Sequence, residues 1–131
     1  MGSPMAANLI EAGYSVICYD IAGTEERAPK GAEIAGSATQ IAGSADVVVI
    51  SVDKQKSVEN IAQEIAEAND RTVSIVMDTS TIGSDTARIA EARLREVDVT
   101  YIDSPVAGGD GSTRVGHQYL IHICSCRRKE R

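Results

Sequence analysis

At 131 residues, 43% of them hydrophobic but with no Trp, no Phe and only four Tyr, the chain has room for one domain whose core is built from Ala, Val and Ile, the composition of an α/β fold. A formal net charge of −6 leaves no basic footprint for nucleic acid, and no apolar run is long enough to span a bilayer. The N-terminus lacks the basic and apolar regions of a secretion signal and three cysteines make no disulfide framework, so a soluble protein of the reducing cytoplasm is expected.

The first helix is predicted over residues 4–12, with Gly2 beside its start, Pro4 in the first turn where a missing N–H costs nothing, and Gly13 placed to stop it. Met5, Leu9 and Ala12 form its apolar stripe, flanked by Ala6 and Ile10. A short strand over 15–19 then ends on Asp20. In dinucleotide-binding folds a helix N-terminus faces the pyrophosphate, and an acid about 20 residues past the glycines accepts hydrogen bonds from the adenosine ribose. Gly2 and Asp20 fit those roles, although each taken singly also reads as the glycine of a packed helix and the acid of a turn. The full G-x-G-x-x-G fingerprint follows a first strand, whereas Met1 stands just before the position of its third glycine. The expectation is a fold whose first strand and first two glycines are missing.

Residues 21–30 are polar, with room for a short helix interrupted at Pro29, and 31–34 reads as a brief edge strand. Ser37 caps one helical turn over 37–41. The VVVI run within 45–51 is the strongest strand, continuous and β-branched, as expected of a central parallel strand buried on both faces. A helix over 57–68, with Val58, Ile61, Ala62 and Ile65 at core spacing, returns the chain to a strand over 72–77. The polar turn DTSTIG follows, Ser84 is placed to cap a helix over 85–96, and a last strand over 99–102 runs into DSPVAGG.

Strands alternating with helices imply right-handed β-α-β units and a Rossmann-like, doubly wound parallel sheet, whose ligands sit beyond the carboxyl ends of the strands. Asp20, Val52-Asp53, Ser80-Thr81 and Ala107-Gly108-Gly109 all fall on that edge.

The segments MGSPMAANLIEAGYSVICYD, ADVVVISV, DTSTI and DSPVAGG, in this order and spacing, resemble the nicotinamide-binding domain of the β-hydroxyacid dehydrogenase family across about residues 1–116. That family includes 3-hydroxyisobutyrate dehydrogenase and tartronate semialdehyde reductase. The resemblance implies that Gly2 and Ser3 lie by the pyrophosphate and Asp20 by the adenosine ribose. It places Val52, Asp53 and Ser57 along the cofactor cleft, and Thr81 with Ser80 near the nicotinamide ribose. The loop carrying Ala107, Gly108 and Gly109 would hold the substrate carboxylate through backbone N–H groups, glycine permitting close approach. The cofactor implied is NAD, with NADP disfavoured by Asp20, and the substrate of the intact family is a small 3-hydroxy acid.

Three departures from the family bear on activity. Ala107 stands where members commonly carry serine. The family's general acid is a lysine of a second, all-helical domain through which members usually form homo-oligomers, and none of Lys30, Lys54, Lys56 or Lys129 has a matching context. Residues 117–131 give a possible short strand and then a basic, unstructured tail; His122, Cys124 and Cys126 alternate there, but zinc spacing and a fourth ligand are lacking, so no metal site is assigned.

The sequence therefore reads as the NAD(P)-binding part of an oxidoreductase that transfers hydride to or from a small 3-hydroxy acid, inactive without the catalytic domain. The alternatives are a non-catalytic dinucleotide-binding or interaction module and a truncated product without function. The related 6-phosphogluconate and imine-reducing branches share the same cofactor half.

Overall fold

The computed structural model describes residues 1–106 and the backbone of residues 107, 119 and 120. Helix α1 spans Gly2–Glu11 and so begins two residues earlier than the sequence predicts, placing Pro4 at the third helical position, still within the turn whose N–H groups have no helical acceptor. Its end is fixed by Gly13 at φ +90°: Gly13 N–H donates to the Ile10 carbonyl (2.9 Å) and Tyr14 N–H to the Leu9 carbonyl (3.0 Å), the paired bonds of a Schellman turn.

Strand β1 (Ile17–Cys18) pairs in parallel with β2 (Glu33–Ile34), and the ladder is extended by bonds from Glu33 N–H to the Val16 carbonyl and from Ala35 N–H to the Cys18 carbonyl. Between them α2 (Thr24–Arg27) is the short polar helix, ending before Pro29 as the sequence predicts. The Ser37 hydroxyl accepts from Gln40 N–H (3.1 Å), confirming it as the cap of α3 (Ala38–Ala42).

A second parallel sheet has the order β3-β4-β5, formed by Val47–Ile50, Ile75–Asp78 and Thr100–Asp103, with Val48, Val76 and Tyr101 abreast. Helices α4 (Gln55–Glu67) and α5 (Ser84–Arg95) pack on each other beside it. Val58, Ala62 and Ile65 of α4, Ala90 and Leu94 of α5, and Val48, Ile50 and Val76 of the strands form one buried cluster. All of its buried members lie between Ala42 and Val99; ahead of Ala42 the buried apolar residues are three alanines, Ala6, Ala35 and Ala38.

Two expectations are corrected. The VVVI strand is not buried on both faces: Val48 and Ile50 point into the core while Val47 and Val49 are 48% and 43% exposed. Among the described residues β3 is an edge strand covered on one side only, so its side chains alternate between core and solvent despite a uniformly apolar sequence. Ser84 does not cap α5 but is its first residue. Gly83 is the N-cap, at φ +80° where a side chain would be strained, and no side-chain oxygen bonds the first turn.

Beyond β5, β6 (Val106–Ala107) pairs antiparallel with β7 (Tyr119–Leu120). The basic tail over 121–131, with His122, Cys124 and Cys126, lies outside the described residues, as do Gly108 and Gly109.

Candidate functional site

The carboxyl ends of β1, β3, β4 and β5 carry the residues singled out from sequence. Gly2 opens α1 against the end of β3: a Cβ built on it would sit 3.6 Å from the Ser51 Cβ. The first turn of α1 has no capping side chain, and it therefore presents backbone N–H groups and the positive end of the helix dipole beside Ser51. Ser3 is the exposed second residue of that turn.

Val52 and Ser80, predicted on separate loops, are joined. Val52 N–H donates to the Ser80 hydroxyl at 3.0 Å, across a gap of 28 residues in sequence. The loop after β4 is further held where Thr79 N–H and its hydroxyl both donate to the Ile50 carbonyl (2.9 and 2.8 Å), and where Gln55 Nε2 donates to the Ile82 carbonyl (2.7 Å). Ser80 is buried and Thr81 exposed. Asp53 is exposed before α4, and half-buried Ser57 donates its N–H to the Lys54 carbonyl in the first turn.

Asp20 stands at the end of β1, where its Oδ1 accepts from Ala22 N–H (2.8 Å) and its Oδ2 lies 3.4 Å from Arg27 Nη1. Its backbone is clamped by Thr24, whose hydroxyl accepts from Asp20 N–H (2.9 Å) and donates to the Asp20 carbonyl (3.1 Å). The structure thus brings Gly2, Val52 and Ser80 together around Ser51, with Asp20 on the neighbouring sheet, its side-chain bonds made within its own loop, to Ala22 and Arg27. Ala107 lies in β6.

Two residues that sequence reasoning missed lie beneath the loops. Asp78, fully buried, accepts from Ser80 N–H through Oδ1 (2.9 Å) and from the Tyr101 hydroxyl through Oδ2 (2.8 Å). Burial, followed by the Asp78 charge and hydrogen bond, pushes the Tyr101 phenol far above its ordinary value, so it stays protonated as a donor. Asp103, in register with Asp78 on the next strand, is raised by burial and then by Asp78. Asp78 stands at the head of the DTSTI segment; the signal available in sequence was an acid at a buried strand's end, without anything to pair it to Tyr101.

A helix N-terminus facing a strand's end supplies N–H donors for a pyrophosphate, and an acid at the end of β1 supplies an acceptor for a ribose diol, so these residues fit a dinucleotide. The fold is a Rossmann-like nucleotide-binding domain. The family described as the NAD binding domain of 6-phosphogluconate dehydrogenase matches residues 1–128, and the chain belongs to it. It is 36% identical over 124 residues to a 3-hydroxyisobutyrate dehydrogenase of Pseudomonas aeruginosa, covering 88% of this chain and 40% of that protein. An NAD-dependent L-serine dehydrogenase of the same organism is 32% identical over 120 residues, covering 88% and 40%. The solved structure of Mycobacterium tuberculosis 3-hydroxyisobutyrate dehydrogenase with L-serine superposes with a TM-score of 0.82 at 27% identity, over 92% of this chain and 42% of that one. The chain thus spans about two fifths of the length of these relatives. Among the described residues no helix is long and apolar enough to cross a membrane.

Proposed function

We propose that these 131 residues form the cofactor-binding half of an oxidoreductase that moves hydride between NAD and a small 3-hydroxy acid. The observation that carries this reading is the meeting of the uncapped α1 N-terminus, Ser51, Val52 and Ser80 at the carboxyl edge of the sheet, in a chain of the NAD-binding family. In it, Gly2 and Ser3 bind the pyrophosphate, Asp20 the adenosine ribose diol, Val52, Asp53 and Ser57 line the cleft, and Ser80 with Thr81 orient the nicotinamide ribose. The bound dinucleotide supplies the hydride acceptor. Ala107, Gly108 and Gly109 bind the substrate carboxylate through backbone N–H groups.

Asp20 favours NAD: a carboxylate accepts from a 2′-hydroxyl and repels a 2′-phosphate. The acid–base lysine expected of the family has no counterpart among Lys30, Lys54, Lys56 and Lys129, and so the chain by itself binds without turning over. Half-buried, free Cys18 suits the reducing cytoplasm. The binding unit is assigned to about residues 1–116, followed by a short strand and a basic tail over 117–131.

The test is calorimetric titration of the purified chain with NAD, paired with assays of NADH formation from 3-hydroxyisobutyrate, serine and glycerate. Saturable binding with no turnover is expected. Absence of binding overturns the cofactor reading, and steady NADH formation abolished by Gly109→Val overturns the division of labour. A non-catalytic dinucleotide-binding module is the second reading, favoured by the same missing lysine; it predicts binding that none of these hydroxy acids alters.

A further inference from the structure

Asp78 is fully buried, yet no Lys, Arg or His is paired with it among the described residues. A carboxylate so placed is costly unless its oxygens are satisfied. Its two hydrogen bonds have a feature that stability alone does not require: together they tie β5 to the loop that follows β4 at the candidate cleft. Tyr101 OH, from β5, fixes one carboxylate oxygen, and the other fixes the Ser80 N–H. Ser80 in turn holds Val52 N–H through its hydroxyl, and Ser51, next to Val52, packs under Gly2 at the start of α1. A chain of hydrogen bonds thus runs from the middle of the sheet to two loops of the edge that β3 and β4 present.

We propose that Asp78 and Tyr101 are positioning residues for the dinucleotide site, acting through Ser80 on the Val52 loop without facing the ligand themselves. This rests on the cofactor reading above. The planar carboxylate, gripped on both oxygens, has one orientation, and that orientation sets the Ser80 peptide. Ser80 is then bonded at both its N–H and its hydroxyl, so the Val52 backbone cannot shift without breaking its bond to the buried Ser80 hydroxyl. A loop already held in its binding geometry loses less entropy when the ligand arrives.

The experiment compares the full chain with Tyr101→Phe, Asp78→Asn, Asp78→Ala and Val99→Ala, measuring the Kd for NAD, the thermal midpoint, and amide hydrogen exchange at Val52 and Ser80. Val99 is a buried neighbour of β5 that makes none of these side-chain bonds, so its truncation destabilises by packing alone. Expected are a rise in Kd of about tenfold and faster exchange at both amides for Tyr101→Phe and Asp78→Ala. Asp78→Asn keeps an acceptor for Ser80 N–H and a donor for the Tyr101 oxygen, and should stay within about threefold of the parent. Val99→Ala should lower the midpoint and leave the Kd unchanged while folded.

Unchanged Kd and unchanged exchange in Tyr101→Phe overturn the proposal, as does a loss of binding in Val99→Ala equal to that in Tyr101→Phe. If Asp78→Ala does not fold, Tyr101→Phe and Asp78→Asn, which keep side-chain volume, decide. Should the parent chain bind neither NAD nor NADP, the cofactor reading has failed; exchange at Val52 and Ser80 in Tyr101→Phe then still decides whether the two residues hold the loops.

Discussion

Arg27 Nη1 lies 3.4 Å from Asp20 Oδ2, an ion pair between side chains 57% and 38% exposed, seven residues apart around the loop that follows β1. A pair so open to water contributes only about 0–1 kcal/mol, so hydroxyl donors of a ribose can displace the guanidinium without a large penalty. The carboxylate itself does not move, because Ala22 N–H holds Oδ1 and Thr24 clamps the backbone. Asp20 is therefore preset as an acceptor, with a cation waiting beside it.

The expected outcome is that the chain binds NAD more tightly than NADP, and that Asp20→Ser reverses or erases the difference by leaving Arg27 to meet a 2′-phosphate. A relative shift of at least about tenfold follows if one charge repulsion is traded for one attraction of ~1.4 kcal/mol. Parallel titrations with the two dinucleotides measure it. Equal affinities in the parent chain would remove Asp20 from the ribose role.

Asp103 gives a pH test. Partial burial, then the charge of Asp78, holds its carboxyl above the ordinary value of 3.8, so the folded chain binds that proton more tightly than the unfolded one. Stability from this group is full below its unfolded value and is lost as pH rises through the folded value. Asp103→Asn, uncharged throughout, should raise the thermal midpoint at about pH 7 and give no advantage near pH ~3, where the parent residue is protonated too. A midpoint lowered at neutral pH would show that the Asp103 carboxylate is a stabilising acceptor instead.

The apolar cluster predicts unequal responses along α5. Leu94 is fully buried, and Leu94→Ala should cost about 2–5 kcal/mol, a large part of the net stability of a chain this size. Ile89, 46% exposed on the same helix, should tolerate Ile89→Ser within about 0.5 kcal/mol. Urea unfolding of both variants checks the contrast; similar losses would mean that α5 lies differently on the sheet.

Exposed Val47 and Val49 on an edge strand form an apolar template for a second chain. Val49→Lys should lower self-association, followed by light scattering or sedimentation, while leaving the midpoint nearly unchanged because the side chain already faces solvent. A large drop in midpoint would show that this face is covered in solution.

What could be read from the sequence was set by neighbours in the chain. Gly13 ends α1 and Ser37 caps α3 because each acts on atoms within four residues. Gly83 displaced Ser84 as the N-cap of α5 by one position, a difference that depends on which residue can take φ +80°. The VVVI run announced a strand but not its exposure, since burial belongs to whatever packs against it. Likewise Asp20, Val52 and Ser80 were visible as polar ends of strands, whereas the bond between Val52 and Ser80 and the pairing of Asp78 with Tyr101 depend on the register of β3, β4 and β5.

The placement of the apolar cluster between Ala42 and Val99 would make a dinucleotide bound as proposed an adhesive. Gly2 and Asp20 belong to the thinly packed portion whose interior is three alanines, and Val52 and Ser80 to the densely packed one. A dinucleotide touching both would fasten the loose portion to the firm one, adding about 2.7 kcal/mol to their union at a hundredfold excess over Kd. Trypsin should accordingly cut at exposed Arg27 and Lys30 sooner than at half-buried Arg71 and Arg93, and NAD should slow the first two cuts most. Protection spread evenly over all four sites would mean that the chain opens as a single unit.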